Sequence, residues 1–435
     1  MKKYVLSDIC EIGSSKRIHL SDYVDKGIPF YRSKEIIELS EGRSISEKLF
    51  ISYDKFNEIK SKFPTPETDD ILITSVGTLG VVYLVKNNEF YFKDGNLTWL
   101  RRFKRELVDV GFLYYWLNSE SFKRQISNNN IGAVQKAITI DFLKKVNIVL
   151  PCLKTQKSIA YILSTLDQKI AINNQINAQL EQMAKTLYDY WFVQFDFSDE
   201  NGKPYKSSGG EMVYNDTLKR EIPKGWEAQK ISHWLQSDKS GDWGKEIQEG
   251  NYTLQVNCIR GADINAVNFQ GNIEAPIRFI LPKNKHKLLS PFNLVVEISG
   301  GSPTQSTGRL ALISDYVLNR FDFPVICSNF CKAISLKNTD YFYQFVFMWN
   351  AIYKNDILFG WEGKTSGIKN LLFENFTEGY FECYPPLDLA KKFFEIADVF
   401  HKQQQFLLKQ NQQLTQLRDF LLPMLMNGQV GVGDD

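Results

Sequence analysis

The sequence lacks an apolar run long enough to cross a membrane or to direct secretion. Its first residues carry a basic tip without the apolar core of a signal peptide, and no stretch approaches the roughly 18 apolar residues of a membrane span. We therefore expect a cytoplasmic protein without a membrane partner. The 43% hydrophobic and 23% charged residues are typical of globular domains.

Cysteine and histidine are too few and too scattered for a metal site. Of the six cysteines only Cys327 and Cys331 are close in sequence, and no second pair or histidine cluster accompanies them. Structural zinc usually needs two short-spaced ligand pairs. Buried free thiols in a reducing compartment are the better interpretation. We expect no metal and no cofactor.

Motifs of catalysis are also missing. Residues 363–365 (Gly-Lys-Thr) resemble the end of a phosphate-binding loop, but Leu358 stands where that loop needs glycine. Residues 384–387 (Tyr-Pro-Pro-Leu) have the prolines of an adenine-methyltransferase tetrapeptide, but neither its first amide or acid nor its final aromatic residue. No nucleophile elbow and no zinc-protease helix is present. These absences predict a chain that is not an enzyme.

Net charge is nearly balanced, at +2. A strongly basic chain would favour nucleic acid by itself, and this one does not. Local basic runs at 101–105 and 283–287 leave room for a binding face, although a charge run is usually just a solvated surface.

An internal repeat organises the chain. Residues 111–150 and 341–384 share one order: an aromatic helix, a polar loop with glycine, an apolar turn and a short strand that ends at proline. The spacing from Phe142 to Pro151 equals that from Phe376 to Pro385. The sequence therefore predicts two divergent copies of one unit.

Each copy continues into a long helix, over 154–192 and 387–426. Apolar residues alternate there by three and four, as in a coiled-coil seam. At ~1.5 Å per residue each helix is roughly 50 Å long, so we expect the two to pack on each other. Surface helices of separate domains are the alternative. The amides expected to fix the register of a coiled coil are Asn173, Asn177, Gln404 and Asn411.

Ahead of each repeated segment, a strand, a tight glycine turn and a second strand are predicted around 70–84 and 293–312. Residues 196–224 are rich in Gly, Ser, Pro and charge and look like an exposed linker. The predicted fold class is α+β, with two mixed α/β globular domains joined by two long antiparallel helices in a pseudo-two-fold repeat. The expected boundaries are 1–150 and 225–384 for the globular domains, 151–195 and 385–435 for the helical regions, and 196–224 for the linker.

Two globular domains on a rigid helical spacer suit a split linear target. Sites on one face of B-DNA repeat roughly every 34–36 Å, and a helix pair of the expected length can hold two domains about that far apart. The favoured hypothesis is binding of a bipartite, asymmetric double-stranded DNA site. A coiled-coil scaffold with protein-binding ends, and a DNA-modification component with its own activity, are the alternatives.

Five segments in joint order, 70–80, 132–151, 180–197, 222–226 and 417–428, resemble the specificity subunit of a type I restriction–modification enzyme, and the resemblance covers nearly the whole chain. It implies two variable target-recognition domains that each read a few base pairs. It also implies two helical regions that form an antiparallel coiled coil and bind two methyltransferase subunits. Those partners carry the S-adenosylmethionine chemistry, and a separate restriction subunit carries translocation and cleavage.

Polar and basic residues on the glycine-turn loops are the candidates for DNA contact, with basic residues elsewhere as phosphate or guanine ligands. For each residue a solvated turn or a surface salt bridge is the alternative. The candidates are Arg17, Arg32, Thr74, Ser75, Thr78, Arg101, Arg102, Asn129, Gln135, Lys136, Arg260, Arg278, Ser302, Thr304, Gln305, Thr307, Arg309, Trp361, Lys364 and Thr365.

Overall fold

The computed structural model describes residues 2–42, 45–86, 89–129, 137–268, 273–300, 304–365 and 368–431, with only the backbone of 364 and 365. The chain divides into two compact units. Unit 1 comprises 1–171 with 413–435, and unit 2 comprises 172–412. In the described ranges, no helix is both long and apolar enough to cross a membrane.

The helices include the two long ones expected from the sequence. The helices are α1 (Leu6–Ile9), α2 (Ser33–Ser40), α3 (Tyr53–Lys62), α4 (Val110–Leu117), α5 (Glu120–Asn129), α6 (Ile140–Lys145), α7 (Leu153–Tyr188), α8 (Ile264–Asn268), α9 (Asp315–Leu318), α10 (Phe342–Lys354), α11 (Phe373–Gly379) and α12 (Leu387–Met426). Helix α7 ends in a π-helical turn, Asp189–Val193.

Short strands alternate with these helices throughout both units. The strands are β1 (Lys2–Val5), β2 (Glu11–Gly13), β3 (Tyr23–Val24), β4 (Ile28–Tyr31), β5 (Phe50–Ile51), β6 (Ile71–Thr74), β7 (Val82–Leu84), β8 (Tyr91–Phe92), β9 (Leu97–Arg101), β10 (Asn147–Leu150), β11 (Met212–Asn215), β12 (Arg220–Pro223), β13 (Glu227–Lys230), β14 (Leu235–Ser240), β15 (Leu254–Ile259), β16 (Ile277–Ile280), β17 (Asn293–Glu297), β18 (Ser299–Gly300), β19 (Leu310–Ile313), β20 (Val325–Cys327), β21 (Cys331–Leu336), β22 (Glu362–Thr365), β23 (Ile368–Leu371) and β24 (Phe381–Tyr384).

Unit 1 contains two four-stranded sheets, β2-β9-β6-β7 and β3-β5-β4-β8. The central strand β6 is buried on both faces, because alternate side chains enter different cores. Ile71 and Ile73 pack with α4, α6 and the first turns of α7, whereas Leu72 packs in a cluster with Trp99 and Phe92 of β8. A continuous apolar run is the expected signature of such a strand.

Unit 2 repeats this pattern of strands. Its sheet β14-β21-β17-β19 has the order of β2-β9-β6-β7, and β16-β15-β20 has the order of β5-β4-β8. Strand β4 pairs antiparallel with β5 and parallel with β8. Strand β15 likewise pairs antiparallel with β16 and parallel with β20. Strand β17 is again buried on both faces, with Leu294 and Val296 in one core and Val295 in another.

A two-stranded ribbon links the start of each globular part to the strand before its long helix. In unit 1, β1 pairs antiparallel with β10, with Lys2 opposite Leu150. In unit 2, β13 pairs antiparallel with β24, with Glu227 opposite Tyr384. The long helix begins directly after each ribbon, so the ribbon sets where that helix leaves its domain.

Helices α7 and α12 pack on each other within unit 2 through a layer of amides. Asn173 Nδ2 donates to Asn411 Oδ1 at 2.8 Å, and Gln404 Nε2 donates to the backbone carbonyl oxygen of Asn177 at 3.2 Å. Residue numbers rise along α7 as they fall along α12, so the two helices run in opposite directions here. Within unit 1, Asp167 of α7 pairs with Arg418 of α12 at 2.9 Å.

The segment 196–224 is more ordered than its composition indicates. Strands β11 and β12 form an antiparallel hairpin within it. Phe197 stacks between Tyr205 and Trp226, with ring centroids 4.8 Å and 5.5 Å away. Aromatic stacking thus holds this stretch against unit 2, a contribution that polar composition does not reveal.

Candidate nucleic-acid interface

The turn between β6 and β7 closes one end of the main sheet in unit 1. Thr74 is fully buried, and its hydroxyl donates to the Thr78 carbonyl at 2.6 Å while accepting from the Val81 amide at 2.9 Å. Thr78 itself is exposed. Gly80 has φ of 77°, and a Cβ there would meet Ile126 Cδ1 at 2.9 Å, so only glycine fits. Thr74 therefore stabilises the turn from inside, and Thr78 presents its hydroxyl to solvent, as Val76 does its apolar side chain.

Two further segments meet this turn. Ser75 is buried, and its hydroxyl lies 2.6 Å from that of Thr98. The Ser75 amide donates to the Asn96 carbonyl at 2.8 Å, and its carbonyl accepts from the Ile138 amide at 3.0 Å. The same Asn96 carbonyl accepts from the Ser33 hydroxyl at 3.2 Å. We call residues 32–33, 74–80 and 93–96 the turn end of unit 1.

Arg32 and Arg17 lie at this turn end. The Arg32 guanidinium donates to buried Glu35 at 2.7 Å and to Glu47 at 2.9 Å. These contacts, led by the hydrogen bond to Glu35, raise the pKa of Arg32 and hold its charge. Arg17 is 72% exposed and pairs with Asp94 at 3.1 Å.

Arg101 and Arg102 lie at the opposite end of the same sheet. In the register of β6 with β9, Thr74 faces Leu97 and Ile71 faces Leu100, so Arg101 is one strand length away from the turn end. Both arginines pair with Glu11, at 3.3 Å and 3.1 Å. The structure therefore separates these two candidates from Thr74 and Ser75 at the turn end. Asn129 ends α5 and is exposed, while Gln135 and Lys136 lie outside the described residues.

In unit 2 the matching turn contains an ionic network. Glu297 ends β17, and its carboxylate accepts from Arg309 at 2.7 and 2.8 Å. Glu362 accepts from the amide and hydroxyl of Thr307 at 2.7 and 3.0 Å and pairs with Lys369 at 3.2 Å. Both carboxylates are nearly buried. Thr307 and Arg309 thus serve internal contacts.

Other candidates of unit 2 surround the small sheet β18-β23-β22. Ser299 of β18 donates to Asn370 Oδ1 at 2.6 Å. Thr304 and Gln305 are exposed. The Trp361 ring lies 5.6 Å from that of Phe376. Lys364 and Thr365 are on β22, described here by backbone only, and Ser302 lies outside the described residues.

Arg260 repeats the arrangement of Arg32. Arg32 directly follows β4 and Arg260 directly follows β15, and each precedes a helical segment. Arg260 pairs with buried Asp263, three residues later, at 2.9 Å. Arg278, in contrast, has a side chain only 6% exposed, with its guanidinium 4.1 Å from the Trp243 ring centroid and 3.1 Å from Glu246.

The turn between β20 and β21 presents two residues that the sequence reasoning missed. Asn329 is exposed, and Phe330 is 52% exposed. The Phe330 carbonyl accepts from the amides of Ile298 and Ser299 at 2.9 and 3.2 Å, so this turn adjoins β18. An aromatic residue beside Ser-Asn between two apolar strands was the available signal. We call residues 260–261, 297–300, 304–309 and 328–330 the turn end of unit 2.

Each turn end collects hydroxyl, amide and guanidinium groups on short loops held by a rigid sheet. Such groups donate to phosphates and to base edges. In the described ranges, no group of three or more His, Cys, Asp and Glu could hold a metal ion. The hydroxyl, amide and guanidinium groups at the two turn ends are suited to recognising a polar ligand by hydrogen bonds.

Comparisons with known proteins find similarity to one kind of protein. Residues 1–182 match the family described as type I restriction modification DNA specificity domain. The specificity subunit of the type I restriction enzyme MjaIX from Methanocaldococcus jannaschii is 24% identical over 98% of this chain and 93% of its own. A putative type I restriction enzyme specificity subunit from Haemophilus influenzae is 30% identical over 43% of this chain and 45% of its own.

The fold has a solved counterpart. The crystal structure of the type I restriction–modification S subunit from M. genitalium aligns with a TM-score of 0.59, at 16% identity, over 98% of this chain and 95% of that one. Family match and full-length similarity point the same way. Residues 1–182 thus resemble the DNA specificity domain of type I restriction–modification systems, and nearly the whole chain is similar to a specificity subunit of such a system.

Proposed function

We propose that the chain reads a bipartite, asymmetric site in double-stranded DNA, with one half-site for each turn end. The observation that carries the proposal is the repeat of strand order in the two units with different side chains at matching places. A shared frame supports two similar docking modes. Unlike contents, such as Thr74 against Glu297, support two unlike half-sites.

In this proposal the recognition domains are residues 1–150 and 225–384, and the helical regions are 151–195 and 385–435. The helices form an antiparallel coiled-coil spacer whose register is fixed by Asn173, Asn177, Gln404 and Asn411. The side-chain contacts of Asn173, Gln404 and Asn411 between α7 and α12 support this role. We further propose that the protein acts in the cytoplasm, where its DNA target is found.

We propose that two methyltransferase subunits dock on the helices, and that restriction subunits join through that complex. In unit 2, α12 leaves Ile396, Val399 and Phe406 exposed by 37%, 63% and 60%. Their spacing of three and seven places them on one helical stripe. Such an apolar stripe suits a partner helix. Phe406→Lys should abolish co-purification with the methyltransferase, whereas Val213→Lys, at a 47% exposed site on β11, should not.

The proposed function is tested by assembling the chain with its methyltransferase and mapping methylated sites across a genome. We expect one motif with two unlike halves and an unread gap. A contiguous motif, or no motif, contradicts the proposal. Inserting one heptad of matched length into each long helix should lengthen the gap and leave both halves unchanged.

Salt dependence separates DNA reading from a protein scaffold. Binding that rests on phosphate contacts should weaken steeply between low and moderate salt. Apolar protein docking should change little over that range. A flat salt profile for the assembled complex on its own motif would favour the scaffold.

A further inference from the structure

The turn at 328–330 is held rigidly while its side chains point outward. The Ser328 amide donates to the Ile259 carbonyl at 2.8 Å, and the Cys331 amide donates to the Ser328 carbonyl at 2.9 Å. The Phe330 carbonyl is bonded by two amides of the neighbouring strand pair, as described above. Hydrogen bonds therefore hold the backbone of the turn at Ser328 and at Phe330. A half-exposed phenyl ring costs free energy in water, which is offset if the ring meets an apolar surface on a ligand.

The equivalent turn of unit 1 has a different residue in this place. The Asn96 carbonyl accepts from the amide of Ser75, the residue directly after β6. In the same way, the Phe330 carbonyl accepts from the amide of Ile298, the residue directly after β17. Asn96 is half-buried, whereas Phe330 is 52% exposed. The exposed ring is therefore specific to the turn end of unit 2, and the backbone arrangement that the two units share does not require it.

Base-pair edges in the major groove match the two exposed side chains. An Asn amide bonds in bidentate fashion to adenine N6 and N7, and Phe makes apolar contact with the thymine methyl group. The major groove, about 12 Å wide, admits a two-stranded ribbon, and the hairpin β22–β23 with β18 lies directly beside this turn. Adjacent Asn and Phe side chains are thus suited to the two bases of one pair.

We propose that Asn329 and Phe330 read an A·T base pair in the half-site bound by unit 2, with Asn329 on adenine and Phe330 on the thymine methyl. This inference rests on the proposed function. It adds a specificity-determining pair of residues and the identity of one base pair.

The test uses the complex of the full chain with its methyltransferase and a duplex carrying the mapped motif. Each thymine of the motif is replaced in turn by deoxyuridine, which lacks only the methyl group. Each adenine is replaced by 7-deaza-adenine, which lacks only the N7 acceptor. Affinities are measured for the wild type and for Phe330→Ala, Asn329→Ala and Tyr214→Ala. Tyr214 is a matched control, being 57% exposed on the separate hairpin β11–β12.

In the half-site of unit 2, one deoxyuridine should weaken wild-type binding about fourfold, the value of one buried methyl group. The 7-deaza-adenine of the same pair should weaken it about tenfold. Phe330→Ala should remove only the deoxyuridine effect and Asn329→Ala only the 7-deaza effect, while Tyr214→Ala should keep both.

Three results overturn the inference: a half-site of G·C pairs alone, analogue effects that persist in the variants, or no analogue effect in the wild type. Loss of affinity on every sequence with Phe330→Ala also overturns it and indicates a ring wedged between base steps. In all of these the bipartite motif stays intact, whereas failure of the proposed function removes the motif itself.

Discussion

Thr74 in unit 1 and Glu297 in unit 2 are the last residues of their central strands, and their backbones bond alike. The Thr74 amide donates to Val81 at 3.0 Å and its carbonyl accepts from Gly80 at 2.9 Å; for Glu297 the partners are Arg309 and Gly308, both at 2.9 Å. Yet one side chain makes neutral hydrogen bonds and the other a nearly buried ion pair. The frame is therefore set by backbone and glycine, which leaves the side chains free to differ.

The largest expected effect is at this position. Glu297→Ala leaves Arg309 without its carboxylate, and we expect a loss of about 3–5 kcal/mol in the free energy of unfolding. Thr74→Val removes only neutral hydrogen bonds and should cost about 1–2 kcal/mol. Urea unfolding, combined with hydrogen exchange of β6 and β17, measures both.

A double variant serves as the control. Glu297→Met with Arg309→Met removes both charges at similar volume and should recover most of the loss. Equal losses from Glu297→Ala and Thr74→Val would mean that the two turn ends do not differ in the way the ion pair indicates.

The two long helices offer a second comparison. Asp167 and His401 each lie fourteen residues after the first residue of their helix, Leu153 and Leu387. Asp167 accepts from Tyr115 at 2.6 Å. His401 is buried, 2.8 Å from the Ser314 hydroxyl.

Burial, with a smaller effect of the Arg320 charge, lowers the pKa of His401 to about 3. The unfolded chain takes up this proton near pH 6.5, so the free energy of unfolding decreases as the pH falls below that value. We expect unit 2 to lose about 2 kcal/mol of stability between pH 7 and pH 5. His401→Gln should flatten this pH dependence, and His286→Gln, at an exposed site, should not. Urea unfolding at each pH measures the loss, and a pH dependence that survives His401→Gln would contradict the assignment.

Asn177 and Asn411 also occupy matching places, each 24 residues into its helix. Asn411 accepts from Asn173 and donates to Asn174, both at 2.8 Å. Asn177 is 3% exposed, and neither polar atom of its side chain has a hydrogen-bond partner among the described residues. Asn177→Leu should therefore stabilise unit 2 by roughly 1 kcal/mol, whereas Asn411→Leu should destabilise it by a similar amount. Hydrogen exchange of α7 and α12 reports the sign for each variant, and the same sign for both would contradict the contrast.

The sequence predicts those elements of the fold whose signals are local. The structure confirms the two long helices, the strand–glycine–strand turns and the strands before Pro151 and Pro385. Their sequence signals are heptad spacing, glycine between two apolar runs and proline at an element boundary. None of these needs knowledge of distant contacts.

The candidate site was less accessible to sequence reasoning, because exposure is a tertiary property. Arg278 reads as a surface cation, yet Trp243 and Glu246 enclose it. Arg101 lies on β9, the neighbour of β6, but the register of the two strands places it at the end of the sheet opposite the turn. Phe330 was not among the sequence-based candidates, yet its ring is half-exposed.

The smallest expected effect separates the two ends of the unit 1 sheet. Arg17 at the turn end and Arg105 at the opposite end are 72% and 57% exposed, and each pairs with one aspartate at 3.1 Å. Their stability contributions are therefore similar and small. If the turn end faces DNA, Arg17→Gln should lower the slope of log affinity against log salt by about one, and Arg105→Gln should leave it unchanged. Titration of the motif duplex with the methyltransferase complex at several salt concentrations measures both slopes. The opposite result would place the DNA at the end of the sheet that holds Arg101 and Arg102.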